Sequence, residues 1–155
     1  MNDNDFSAAV SERRFGGIAR LYGADALNRF AAAHVCVVGV GGVGSWAVEA
    51  LARSGIGALT LIDLDNVAES NVNRQLHALT CDFGKAKVTA LHERILQINP
   101  ACRVTEIEDF VTEDNLPVLF RRPFDFVIDA IDQMRVKAAM AAYFVRHGQP
   151  FILSG

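Results

Sequence analysis

The chain has 155 residues, 51% hydrophobic and 21% charged, which is enough for one domain with its own core and far from a disordered composition. Its net charge of −3 argues against a surface that holds nucleic acid by charge alone, because phosphate contacts need a concentrated excess of Lys and Arg; a local basic patch stays open. No run approaches the ~20 apolar residues of a membrane span, and the opening MNDNDFSAAVSERR has acids where a secretion signal has bases, so no membrane association and a cytoplasmic location are expected.

Residues 1–32 are read as a helical arm and residues 33–155 as one α/β domain. HVCVVG reads as a buried strand, β-branched and closed by glycine, with Cys36 as a small hydrophobe inside it. Next, Val43, Trp46, Ala47, Ala50 and Leu51 recur at helical spacing, with Glu49 and Arg53 off that stripe and Gly55 as the helix stop. ALTLID, Ala58 to Asp63, is a second strand ending in the acids Asp63 and Asp65. The polar stretch from Asn66 to Gly84 is too long for an ordinary connection and reads as a functional loop, one that could act as a lid.

A helix from Lys85 to Ile98 follows, with Val88, Leu91, Ile95 and Ile98 on one face and Pro100 beyond its end. RVTEIE is a third strand, alternating and therefore near an edge. NLPVLF is a short helix or turn, FDFVIDA a fourth strand, and Val136 to His147 a helix with Ala139, Met140, Tyr143 and Phe144 inward. Gly148 and Pro150 close it, and FILSG begins a fifth strand with no covering helix after it, so a longer protein is expected. Cys81 and Cys102 fall beside element ends; with Cys36 they make an odd set without CxxC spacing, which suggests neither disulfides nor zinc.

Strands alternating with helices predict a doubly wound, Rossmann-like α/β fold: a mainly parallel sheet with helices on both faces, binding ligands at the carboxyl ends of its strands. The loop GVGGVG, Asp63, Asp65, Asp129 and Asp132 all fall on that edge. Gly39, Gly41 and Gly44 let the backbone turn and approach a phosphate, with a helix N-terminus aimed at it. Asp63, about two dozen residues on, is placed to accept ribose hydroxyls. That serves NAD or ATP equally. Arg74 and Lys87 tilt the balance towards a triphosphate, whose transfer chemistry calls for cations around the oxygens that gain charge. Asn71, Asn73 and Gln75 add neutral donors, and Asp132 offers oxygen to magnesium. The alternative for Arg74 and Lys87 is a solvated loop face.

At GVGGVGSW, LIDLDNVAESNVNRQ, FGKAK and IDAID the chain resembles the ThiF/MoeB/HesA superfamily of adenylating enzymes, related to ubiquitin activators, from about Arg13 to Gly155. The resemblance implies ATP and Mg2+ as cofactors. It gives the adenosine side to the glycine loop, Gly39, Gly41, Gly42 and Gly44, and to Asp63, and the phosphates to Asn71, Arg74, Gln75 and Lys87; Asp65, Ser70, Asn73 and Gln133 join them as cofactor-binding candidates. Asp132 would serve magnesium and the α-phosphate. Arg74, Lys87 and Asp132 are thus the candidate catalytic residues.

Within the superfamily, RRFGGIARLYG, GSWAVEALARSGIG, NRQLHAL and QINPACRV are most similar to the tRNA threonylcarbamoyladenosine dehydratases. The implied partner is modified tRNA, and a homodimer and a possible sulfur-transfer partner come with the resemblance. A ubiquitin-like sulfur carrier, adenylated at its C-terminal glycine, is the second reading. Sulfur-carrier activators carry an R-aromatic-x-R segment; here Gly17 takes the second arginine's place, leaving Arg13, Arg14, Arg20 or none of them for that part. Arg121 and Arg122 are further candidates for a basic patch. Two other classes remain: an NAD-dependent oxidoreductase, with His77 as the hydride-site candidate, and a nucleotide-binding subunit without chemistry.

Overall fold

The computed structural model describes residues 3–154, with side chains from Arg13 onward; Gly155, the end of the FILSG stretch, lies outside the described residues. Five parallel strands form the sheet: β1 (His34–Val38), β2 (Ala58–Ile62), β3 (Arg103–Ile107), β4 (Phe126–Asp129) and β5 (Phe151–Leu153). Their order is β3-β2-β1-β4-β5, so β3 and β5 are edges, as the alternation in RVTEIE predicts for β3. Val38 pairs with Ile62 on one side and Asp129 on the other, which brings the ends of β1, β2 and β4 level.

The helices are α1 (Asp3–Tyr22), α2 (Ala24–Ala32), α3 (Gly44–Arg53), α4 (Lys87–Ile98), α5 (Leu116–Leu119) and α6 (Met134–His147). One face of the sheet packs Val35, Val37, Leu59 and Leu61 against Val48 and Ala52 of α3 and Val88, Leu91 and Ile95 of α4. The other packs Cys36, Val38, Ile62 and Val127 against Leu116 of α5 and Met140 and Phe144 of α6. Burying β-branched and aliphatic side chains on both faces is what holds a parallel sheet, and it fits the near-continuous apolar runs of β1 and β2. The arm joins this body through Phe15, which is buried, and through Arg14, whose guanidinium donates to the carbonyls of Gln97 and Ile98 at 3.2 and 2.8 Å and so caps α4.

The inward stripe of α3 differs from the sequence expectation by about one residue. Ser45, Val48, Glu49 and Ala52 are buried, whereas Val43, Trp46 and Ala50 are exposed. The reason lies at Gly44, where a β-carbon would stand 1.8 Å from the carbonyl oxygen of Gly39. This contact sets the rotation of the helix: the small Ala52 packs in the cluster on the sheet, while Ser45 turns to the polar loop, its Oγ accepting the Leu76 amide at 3.3 Å. Glu49 is tolerated inside because Arg94 of α4 and Arg53 both hold its carboxylate, at 2.6 and 2.7 Å. The polar stretch after β2 is folded rather than open: it makes two 3₁₀ turns, Glu69–Asn71 and Thr80–Asp82, and Val67 and Ala78 bury against Ala90 of α4.

Candidate functional site

Strand order reverses between β1 and β4, so the loops leaving these strands part to opposite faces and open a crevice. A cleft of about 440 Å³ lies there. Its lining includes Gly39, Gly41, Gly42, Asp63, Asp65, Asn71, Arg74, Gln75, Lys87, Asp132 and Gln133, which brings eleven of the candidate residues to one place. Gly44 is not part of the surface; it is the buried seat of α3 on the loop. Ser70 and Asn73 do not line the cleft either. They hold Arg74, whose Nη1 donates to the Ser70 carbonyl and the Asn73 Oδ1, both at 2.9 Å.

The glycine loop is a cradle of amides. Gly39 turns with φ +78° and its α-carbon lies so close to Ala130 that a β-carbon would sit 3.0 Å from that residue's backbone. The loop then runs into α3 with the amides of Gly41, Gly42 and Val43 making no hydrogen bond among the described residues. Unpaired amides at a helix N-terminus attract an anion. Beside them, both carboxylate oxygens of Asp63 accept backbone amides, Val40 at 2.8 Å and Asp65 at 2.9 Å. Asp63 is thereby fixed in direction, with lone pairs left for a ligand hydroxyl.

Cations face the cradle from the polar loop and α4. Lys87 is the first residue of α4 and is buried; its ammonium reaches the exposed Asp65 at 2.7 Å. Arg74 is exposed, and its alkyl carbons lie over Gly42, within 3.6 Å of a β-carbon built there. The Trp46 indole donates to the Arg74 carbonyl at 3.0 Å, tying the loop to α3. Gln75 is buried, turns its amide nitrogen towards Gly41, and leaves its Oε1 without a partner. Asn71 lines the cleft while its Oδ1 caps the first 3₁₀ turn through the Ala68 amide.

On the β4 side Asp132 and Gln133 are exposed at the rim, and Asp132 makes no hydrogen bond or ion pair among the described residues. No group of three His, Cys, Asp or Glu residues among the described residues could hold a metal ion. Asp132 could lend one oxygen to a magnesium ion that takes its other ligands from phosphate and water, which is this cation's habit.

Sequence reasoning missed Asp109, Phe110 and Val111, which line the cleft after β3, and Ala130 and Ile131 after β4. The signal was available in the rule that parallel strands bind ligands at their carboxyl ends. His77 lies elsewhere. It is a buried residue of the polar loop and lines a separate cavity with Cys81 and Lys85; burial, with Lys87 nearby, pushes its imidazole down to about 4. Arg14 is engaged in capping α4, while Arg13, Arg20, Arg121 and Arg122 are exposed. Cys36 and Cys102 are buried, which raises both thiols, and Cys81 is exposed. No described helix is long and apolar enough to cross a membrane.

The ThiF family matches residues 16–155. The chain is 58% identical over 143 residues to the tRNA threonylcarbamoyladenosine dehydratase of Escherichia coli, covering 92% of this chain and 53% of that protein. It is 53% identical over 136 residues to the enzyme of that name from Haemophilus influenzae, covering 88% and 52%. A crystal structure of the Escherichia coli dehydratase in complex with ATP matches with a TM-score of 0.91 and 58% identity, over 93% of this chain and 59% of that one. The chain thus spans about half the length of the curated relatives it matches.

Proposed function

The chain belongs to the ThiF family, and from that premise we propose that its cleft binds ATP and that the whole protein adenylates the carboxylate of threonylcarbamoyladenosine in tRNA for cyclising dehydration. The observation that carries this reading is the meeting of Arg74 and Lys87 with the free amides of Gly41, Gly42 and Val43 in one cleft, in a chain 58% identical to a dehydratase of that name. A dinucleotide has little use for two added cations, and His77, the hydride candidate, is buried away from the cleft.

In this reading Asp63 accepts the ribose hydroxyls, and the adenine extends towards Leu64, Phe110 and Val111. The glycine amides, Gln75, Asn71, Arg74 and Lys87 hold the phosphates. A carboxylate oxygen of the substrate attacks the α-phosphorus, the bond to the bridging oxygen breaks, and pyrophosphate leaves with its new charge met by Arg74 and Lys87. A nucleophile within the same modified base then closes on the acyl carbon and expels AMP, which keeps the carboxylate oxygen. The net loss from the base is one water. A magnesium ion arriving with the nucleotide would be held by Asp132 and would supply further charge neutralisation. The reading implies a cytoplasmic homodimer.

The test uses the full-length protein with ATP, magnesium and threonylcarbamoyladenosine-containing tRNA, following AMP release and the mass of the modified nucleoside. AMP formation tied to the loss of one water, and abolished in Asp132→Ala, is the expected result. AMP formation only when a small ubiquitin-like protein is supplied would move the acceptor to a sulfur carrier, and none with either acceptor would leave a nucleotide-binding subunit.

A further inference from the structure

Asp132 sits on the short turn between β4 and α6 with its carboxylate unpaired among the described residues, yet adenylation needs that carboxylate in a fixed place. The turn is held from below. Asp129, the last residue of β4, is wholly buried, and its Oδ1 accepts the Ile131 amide at 3.0 Å. Lys137, in the first turn of α6 and 7% exposed, brings its ammonium to 3.1 Å from the other oxygen of Asp129. That contact is an ion pair off the hydrogen-bond line, because Asp129 Oδ2 has no aligned donor. The hydrogen bond of Lys137 goes instead to the Ser154 carbonyl at 2.7 Å, and the Ser154 amide returns to the Asp129 carbonyl at 2.8 Å.

Two charges buried side by side are weak evidence for stability, since a well-packed apolar pair of similar volume often serves as well or better. This pair does something an apolar pair would not: it keeps an ionised acceptor under the Ile131 amide and ties the start of α6 to the end of β5. We propose that Asp129 and Lys137 are positioning residues for adenylation, fixing the Ala130–Gln133 turn and through it Asp132. The proposal rests on the reading of Asp132 as the carboxylate that serves magnesium and the α-phosphate.

The experiment compares full-length wild type with Asp129→Leu/Lys137→Met, Asp129→Asn/Lys137→Met and Lys137→Arg. It reads melting temperature, amide hydrogen exchange at Ile131 without nucleotide, calorimetric affinity for ATP with and without magnesium, and the kcat and KM of AMP formation. The apolar pair is expected to fold, to exchange its Ile131 amide about tenfold faster, and to lose the magnesium-dependent part of ATP affinity. Its kcat should fall by about 10- to 100-fold and its KM for ATP should rise in step with the affinity lost, while the KM for tRNA stays within about twofold. The Asn/Met pair, which keeps an acceptor for Ile131, should move the same way by less, and Lys137→Arg should retain most of the wild-type behaviour. Should the apolar pair fail to fold, the Asn/Met pair decides by the same readouts. Unchanged exchange, or faster exchange with magnesium dependence and kcat intact, overturns the proposal. Absence of AMP formation by wild type would sink the functional reading instead, while exchange and magnesium-dependent affinity would still judge the pair.

Discussion

The two lips of the cleft are made of different material. On the β1 side the lip is backbone: a glycine loop that lines the cleft and runs into the start of a helix, seated by the contact of Gly44 with the Gly39 carbonyl. On the β4 side it is a turn whose shape depends on the side chains of Asp129 and Lys137 and on their meeting with Ser154. The first lip admits no side chain at its seat. The second can be altered charge by charge. Donors fixed by backbone geometry need no reorganisation when a phosphate arrives, whereas a carboxylate such as Asp132 is only as well placed as the turn beneath it.

Gly44→Ala should have the largest effect of any change to either lip. The added β-carbon would meet a backbone oxygen at 1.8 Å, and no rotamer can relieve it, so α3 must shift off the loop. Loss of more than about 4 kcal/mol, or no folded protein, is expected in urea unfolding. A variant that folds with less than about 1 kcal/mol lost would show that the seat is soft and the lip no more rigid than its counterpart. Next in size is Arg74→Ala, which removes an exposed side chain whose bonds run only to Ser70 and Asn73 among the described residues. ATP–pyrophosphate exchange should drop about 10²- to 10³-fold with the melting temperature within a few degrees of wild type. A comparable loss of stability would make Arg74 part of the frame.

Acid separates the lips further. His77 belongs to the loop that carries Arg74 and Gln75, is 2% exposed, and has neither ring nitrogen partnered among the described residues. Burial holds its imidazole at about 4 in the folded chain, against 6.5 when free. Between those values the unfolded chain binds the proton and the folded chain does not. This contribution is therefore complete above about pH 6.5, is lost as pH falls towards about 4, and changes little below that. Unfolding free energies across this window should decline by about 3 kcal/mol more in wild type than in His77→Leu. Parallel pH profiles would remove His77 as the acid-sensitive point.

What was legible in the sequence follows the same division. The backbone lip announces itself, because only glycine can turn at Gly39 and pack at Gly44, and the strand before and helix after complete the pattern. Asp63 was also readable, as a charge closing an apolar strand at the carboxyl edge of the sheet, and Arg74 and Lys87 as cations in and just after the polar stretch that follows it. Lys137 was not, since in the sequence it is one more cation on an amphipathic helix; its burial depends on β5 ending beside it, a contact between residues far apart in the chain. Phe110 escaped for a similar reason: it follows the edge strand β3 and reaches the cleft only because β3 lies next to β2.

Trp46 is the instructive error, and it yields the smallest effect. Helical spacing placed it inward with Val43 and Ala50, but period alone fixes which residues share a face, not which face turns to the sheet. The seat of Gly44 decides that, and leaves the indole 55% exposed with its nitrogen donating to the Arg74 carbonyl. Its job in the fold is therefore to tie the polar loop to α3 rather than to fill the core. Trp46→Phe keeps the ring and removes that single hydrogen bond, so a loss of about 1 kcal/mol or less is expected in urea unfolding. Amide exchange should quicken around Arg74 and stay unchanged at Ile131, since the bond belongs to one lip only. A loss of the size seen for a truncated core aromatic, about 3 kcal/mol or more, would mean that the indole packs as core after all and that the rotation of α3 is not set by Gly44.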